Sequence, residues 1–470
     1  MDTTPGMMWG VDKSLTPSPY NMAILKKKND WLSDENSASC MLCDAEFSFF
    51  NRRHHCRRCG RLFCNSCMKT GIWVGKETVL ERVCNLCHLI LSEDYQLKAY
   101  RSYFHLFKSS DILIRTEYLR AIRNSIRTDD DRALILKWKN NAFMRQVVEA
   151  VKEYSVRSTR TDLYWSMLFG VVINLTASFD PEVARAFIDA GGATAVLTCI
   201  RVCEEPYLQE FLVWILRNIS PCPAVVTHDA DPISTMAAID RVLKIEVRTL
   251  QQCCTAALAN LLTHDALRYT HAMTKVPQCT IVTALARLLT LTVPQIQRNA
   301  ARCVSLVATA TPAVLPVFDK RGIIEMVAGL LTAFDPQVKC AAMVAIRTMV
   351  ARSAVLAARL TDPGQTSVVP ALTAIIAAQD NDLTPIALGL LNSMAEIDEC
   401  AAGLGRAVDD ALIEALDGAT SLSDGLIKDA GMDAAGKLAG LVEEGPKRDR
   451  LTELTVTTQF NGVKVVEDYL

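Results

Sequence analysis

No stretch of this 470-residue chain is both long and apolar enough to read as a membrane span. The longest apolar run, LYWSMLFGVVINLTASF from Leu163 to Phe179, stops at 17 residues and includes Ser166, Asn174 and Thr176, which suits a buried core helix. No apolar core follows the first basic residues, so no secretory leader is read there. Histidine is scarce, at seven residues, and His105, His228, His264 and His271 lack metal-ligand spacing. Phosphate-cradling glycine loops are also lacking: GLGRAV around Gly405 reads as a helix boundary, not a nucleotide fingerprint. With no catalytic constellation, the chain is expected not to be an enzyme.

Net charge is small too, at −2, and this argues against whole-protein attraction to nucleic acid. The balance is uneven along the chain. Residues 1–97 carry 12 Lys/Arg against 11 Asp/Glu, residues 98–160 carry 14 against 7, and residues 161–470 carry 24 against 34. A basic segment is thus followed by an acidic two-thirds, a pattern compatible with local attraction to an anionic surface.

What the chain has in quantity is cysteine, with 17 residues. Nine are scattered through apolar helical patterns, where cysteine behaves as a small hydrophobe in a reducing compartment. The other eight form four CxxC pairs: Cys40/Cys43, Cys56/Cys59, Cys64/Cys67 and Cys84/Cys87. Two thiolates of a CxxC turn reach one ion, so eight sulfurs make two closed tetrahedral sites for two Zn2+. Only four residues separate the second and third pairs, which suits interleaved sites. Four sulfurs leave no open position for water, so the zinc is expected to be structural.

Arg52, Arg53, His54, His55, Arg57 and Arg58 surround Cys56. Such donors on a metal-fixed backbone suit a phosphate-bearing ligand. WLSD (Trp31, Asp34), RRHHCR (Arg52 to Arg57) and RVC (Arg82 to Cys84), threaded through the four pairs, resemble the FYVE zinc finger. That resemblance implies a cross-brace of short β-hairpins and a C-terminal helix. Cys40, Cys43, Cys64 and Cys67 would hold the first zinc, and Cys56, Cys59, Cys84 and Cys87 the second. It further implies binding to phosphatidylinositol 3-phosphate on the cytosolic face of early endosomes. The headgroup would meet Trp31, Asp34, Arg52, Arg53, His54, His55, Arg57 and Arg82. Phe49 and Phe50 would enter the lipid interface, with Phe47 packed inside. Because imidazole donates to phosphate best when protonated, binding should strengthen on acidification. Glu81, beside Arg82, departs from the pattern, and Trp73 and Val74 form an apolar stretch without an assigned role.

Beyond the finger, expected over 31–92, the chain reads as mainly α. Residues 1–30 look like a flexible lead-in in which Lys26, Lys27 and Lys28 would add attraction to anionic lipid. A basic helical segment follows over 93–160, with Ile114, Tyr118, Ile122 and Ile126 on one helix face and Arg115, Arg120, Arg123 and Arg127 on the rest. From 161 to 470 a common phrase recurs at Asn174, Asn218, Asn260, Ser305, Thr348, Ser393 and Lys437, at intervals of 44, 42, 45, 43, 45 and 44 residues. This period resembles an armadillo/HEAT-like α-solenoid, a family whose groove binds protein partners. Trp214 and Asn218 reproduce the aromatic–asparagine pair of peptide-carrying members. Bonds within the array are the alternative use of these asparagines. No sustained heptad is present, so a homodimer would come from the solenoid or an added partner.

The leading expectation is an endosomal adaptor: the finger reads the lipid and the solenoid recruits an unidentified protein. Two alternatives stand beside it. A RING-like ubiquitin ligase would need an apolar docking groove where RRHHCR lies. A nuclear transport adaptor would bind basic peptides through Trp214.

Overall fold

Short strands and a single helix form around the cysteine pairs in the computed structural model. The structure describes residue 26 and residues 28–74, 77–91, 97, 101–137, 141–155, 162–177, 181–364 and 366–455. Most of the expected lead-in, residues 1–25 with Lys27, lies outside the described residues, as do residues 92–96 and 456–470. The chain divides into two units, Met1–Asp231 and Pro232–Leu470.

In the first unit, β1 (His54–His55) pairs antiparallel with β2 (Leu62–Phe63), setting His54 opposite Phe63 and His55 opposite Leu62. β3 (Met68–Val74) pairs with β4 (Glu77–Cys84), with a register shift between Thr70 and Ile72. The unassigned Trp73 and Val74 fall on β3, paired with Thr78 and Glu77. Helix α1 (Asn85–Leu91) starts at the last cysteine pair and buries Leu86, Cys87 and Ile90. The turn between Cys56 and β2 closes on Gly60, at φ +73°, whose amide donates to the Cys56 carbonyl. A Cβ there would meet the Asp30 carbonyl oxygen at 3.0 Å, so both conformation and space demand glycine.

The basic segment forms helix α2 (Ile112–Ser125), started by Asp111, whose carboxylate accepts from the amides of Leu113 and Ile114. Ile114, Tyr118 and Ile122 are buried at i, i+4 and i+8, and Ile126 just after them is buried too. The other face is less free than the sequence suggests. Arg120 is 8% exposed, Arg115 donates to the Tyr164 hydroxyl at 3.0 Å, and the Arg123 side chain lies over Gly170. Helix α2 therefore packs inside the unit. It lies against α3 (Asp162–Thr176), which in turn packs on α4 (Pro206–Ile219).

The second unit contains α5 (Arg248–Lys275), α6 (Pro294–Ala310), α7 (Pro336–Arg352), α8 (Leu383–Ala395) and α9 (Gly425–Ala439), with α6 packed on α5, α7 on α6, α8 on α7 and α9 on α8. All seven repeat phrases lie on α3 to α9, and shorter helices connect them. Proline at the first turn of α4, α6 and α7, and the aspartate caps Asp335 and Asp424, start helices where the orphan amides need acceptors. Asp265 leaves helical geometry inside α5, at φ −154° and ψ 77°, and caps the following turn through Arg268 N at 3.0 Å. Thus α5 is two helices meeting at a capped kink. The result is a small β-hairpin finger followed by helices stacked in solenoid fashion within each unit.

Candidate functional site

The eight paired cysteines converge as two sets, Cys40/Cys43/Cys64/Cys67 and Cys56/Cys59/Cys84/Cys87, with the sulfurs of each set within 4.8 Å of one another. A tetrahedral ion with Zn–S bonds of about 2.3 Å needs sulfurs about 3.8 Å apart. Cys43 and Cys64 stand at 3.7 Å. All eight are free thiols, so the donor chemistry and spacing fit two Zn2+ in a cross-brace. Zinc there would lock the hairpins as a redox-inert cross-link. The fold prepares the sulfurs for it: Cys59 N and Cys87 N donate to Cys56 Sγ and Cys84 Sγ at 3.5 and 3.4 Å. Burial raises the Cys64 thiol, but hydrogen bonds with the Ser66 hydroxyl at 3.0 Å, the Cys67 amide and the Cys67 and Cys43 thiols together bring it down to about 6.

The cross-brace carries the basic run on β1. His54 Nδ1 lies 3.3 Å from Arg82 Nη1, and Arg82 is held from its other end by Asn65 Oδ1 at 2.6 Å. His55 Nε2 meets the Leu32 carbonyl at 2.7 Å and the Asp34 carboxylate at 3.5 Å. Trp31 stacks on the His55 ring at 4.8 Å and takes the Arg57 guanidinium on a ring face at 4.2 Å. Trp31 and Asp34 are thus joined to the basic cluster through His55. Arg52 and Arg53 remain exposed, tied only by weak bonds to the Phe49 and Ser37 carbonyls and by contacts with the Phe49 and Phe47 rings.

Phe49 and Phe50 are 77% and 96% exposed, so neither ring covers the zinc core, whereas Phe47 is half-buried against Arg53. Glu81 pairs with Arg57 at 3.4 Å rather than with its neighbour Arg82. Arg58 departs from the expected cluster: it turns from β1 to Glu117, 2.7 Å away. Sequence reasoning missed Asn65, the clamp on Arg82. Nothing in the CNSC segment marks it except its place between two ligands.

Burial, then the charges of Arg82, Arg52 and Arg57, hold His54 below its usual 6.5. In the ligand-free fold this costs stability as pH falls through 6.5, because the unfolded chain takes the proton first. A phosphate beside His54 would raise its pKa and draw that proton in. Affinity for a phosphate headgroup is therefore expected to rise as pH falls from 7.5, levelling off only below 6.5. Vesicle titrations across pH, compared with a His54→Gln variant whose profile should be flatter, check this.

The repeat asparagines are engaged within the array. Asn174 Nδ2 donates to the Arg123 carbonyl at 2.8 Å, and Asn218 Nδ2 to the Ile173 carbonyl at 3.4 Å. Trp214 is half-buried beneath the Arg217 guanidinium, 5.4 Å from its centroid. In α6 and α7, Ser305 and Thr348 bond to each other at 2.9 Å.

The FYVE zinc finger family model matches residues 30–93. Human RUN and FYVE domain-containing protein 2 is 43% identical over 61 residues, covering 13% of this chain and 10% of that protein. Human Zinc finger FYVE domain-containing protein 26 is 45% identical over 69 residues, 14% of this chain and 3% of that one. Lateral signaling target protein 2 of Caenorhabditis briggsae is 37% identical over 91 residues, 19% and 13% of the two chains. The matched stretch is thus about a tenth or less of the first relatives' length. An engineered protein of known crystal structure shares the fold, with a TM-score of 0.62 at 19% identity over 76% of this chain and 82% of its own. Residues 30–93 are a FYVE zinc finger built on two four-cysteine zinc sites.

Proposed function

We propose that this protein is a non-enzymatic membrane adaptor. Its finger binds phosphatidylinositol 3-phosphate on the cytosolic face of endosomes, and its helical repeats recruit a protein partner. The observation that carries the reading is the basic run at β1: Arg82 meets His54, which also feels the charges of Arg52 and Arg57, and the exposed Arg52 and Arg53 follow two exposed phenylalanines. Guanidinium forks match phosphate oxygens two at a time, and adjoining rings suit the headgroup–acyl boundary. A RING-type surface would offer an apolar groove instead. Asn218, bonded inside the array, and the cation over Trp214 speak against capture of basic peptides by that pair.

Co-sedimentation of the full chain with vesicles carrying phosphatidylinositol 3-phosphate, other singly phosphorylated inositides or no inositide tests the proposal. Selective pelleting with the 3-phosphate is expected; equal pelleting with all three would sink it. Phe50→Ser should weaken vesicle binding about fivefold, taking half the ~1.5–3 kcal/mol of full ring burial. Headgroup preference should be retained. A change in preference without a drop in binding would place Phe50 elsewhere.

A further inference from the structure

The second cysteine set has a neighbour beyond the finger. Arg58, between ligands Cys56 and Cys59, is buried with its side chain 9% exposed, and its Nη1 lies 3.4 Å from Cys87 Sγ. The same nitrogen donates at 2.7 Å to Glu117 Oε2 on α2, 59 residues further along the chain. Glu117 is itself largely buried and also pairs with Arg120 at 3.5 Å.

Zn2+ with four thiolates carries a net charge of about −2, costly to bury unless donors face the sulfurs. A guanidinium on Cys87 Sγ supplies one, and a carboxylate on its far side fixes the fork. In the first set Cys64 Sγ faces neutral donors, the Ser66 hydroxyl at 3.0 Å and the Cys67 amide. We propose that Glu117 is a positioning residue for the second zinc site, holding Arg58 against Cys87, so that zinc retention in the finger depends on a helix outside it. Groups that orient metal ligands typically change metal affinity 10- to 100-fold when removed.

Zinc release from the full chain into excess 4-(2-pyridylazo)resorcinol, with 113Cd NMR of the cadmium-exchanged protein, tests this. Glu117→Gln should speed loss of one of the two ions about 10-fold or more and shift one of the two cadmium resonances. Arg58→Gln should do the same. Arg61→Gln is the control: it breaks the Arg61–Asp111 pair, 2.6 Å, which also joins finger to α2 but touches no sulfur. It should leave both release rates and both resonances in place. Unchanged release in Glu117→Gln, equal acceleration of both ions, an unmoved pair of resonances, or the same effect from Arg61→Gln would each overturn the proposal.

Discussion

Stripping the zinc is expected to unfold residues 30–93 and abolish vesicle binding while leaving most of the helical circular dichroism intact. The finger's own apolar core is thin. Leu42, Leu62, Phe63, Met68, Val83, Leu86 and Ile90 are its large buried side chains apart from cysteine, among the described residues. Each ordered residue costs about 1–2 kcal/mol of backbone entropy, and these side chains cannot balance that over such a stretch. Structural zinc contributes on the order of 10–16 kcal/mol in small fingers, enough to decide whether this one folds. The repeats are independent of the metal, since their long helices bury leucine, isoleucine and valine against one another. Some order will persist where α2 and its cap Asp111 hold Arg58 and Arg61, and where His105, ahead of α2, meets the Leu42 carbonyl. Readmitting zinc should restore binding. A zinc-free chain that still pelleted selectively with phosphatidylinositol 3-phosphate would show that the phosphate surface does not need its frame.

What could be read from the sequence was whatever chemistry confines to a local pattern. Four CxxC pairs admit few uses, and the basic run around Cys56 states its charge without any geometry. The repeat phase was legible because an unburied apolar helix face must recur with its neighbour, and the phrases at Asn174 through Lys437 do fall on long helices. Less legible were choices made by distant partners. Arg58 looks like its neighbours until Glu117 is folded beside it. Arg120 and Arg123 look solvated, yet Arg120 is buried beside Glu117, and Arg123 lies over α3 where Gly170 leaves room; a Cβ there would sit 2.7 Å from Arg123 Cδ. The kink at Asp265 carries no proline or glycine, so periodicity runs straight through it. Asn218 could serve a peptide or its own array, and the positions of the Ile173 carbonyl and the Thr176 hydroxyl separate the two.

The sharpest single-residue effect on lipid binding is expected at Arg53. Two arginines in the cluster are already committed: Arg82 to Asn65 and His54, and Arg57 to Trp31, Glu81 and the His55 carbonyl. Replacing either would disturb the frame as well as the ligand, so a loss there would be ambiguous. Arg53 is exposed, its one bond is 3.4 Å to the Ser37 carbonyl, and its guanidinium lies 4.9 Å over Phe47. Its removal should hardly move the melting temperature, since weak surface contacts contribute little. Charge-assisted hydrogen bonds are worth about 1.5–3 kcal/mol each, so Arg53→Ala should weaken binding to phosphatidylinositol 3-phosphate vesicles roughly 10- to 100-fold. Arg53→Lys restores the charge without the fork and should recover only part of it. Full recovery by lysine would mean that Arg53 acts as a point charge toward the anionic surface. That result would separate general membrane attraction from reading of the headgroup, and selectivity would then have to reside in His54, Arg57 and Arg82.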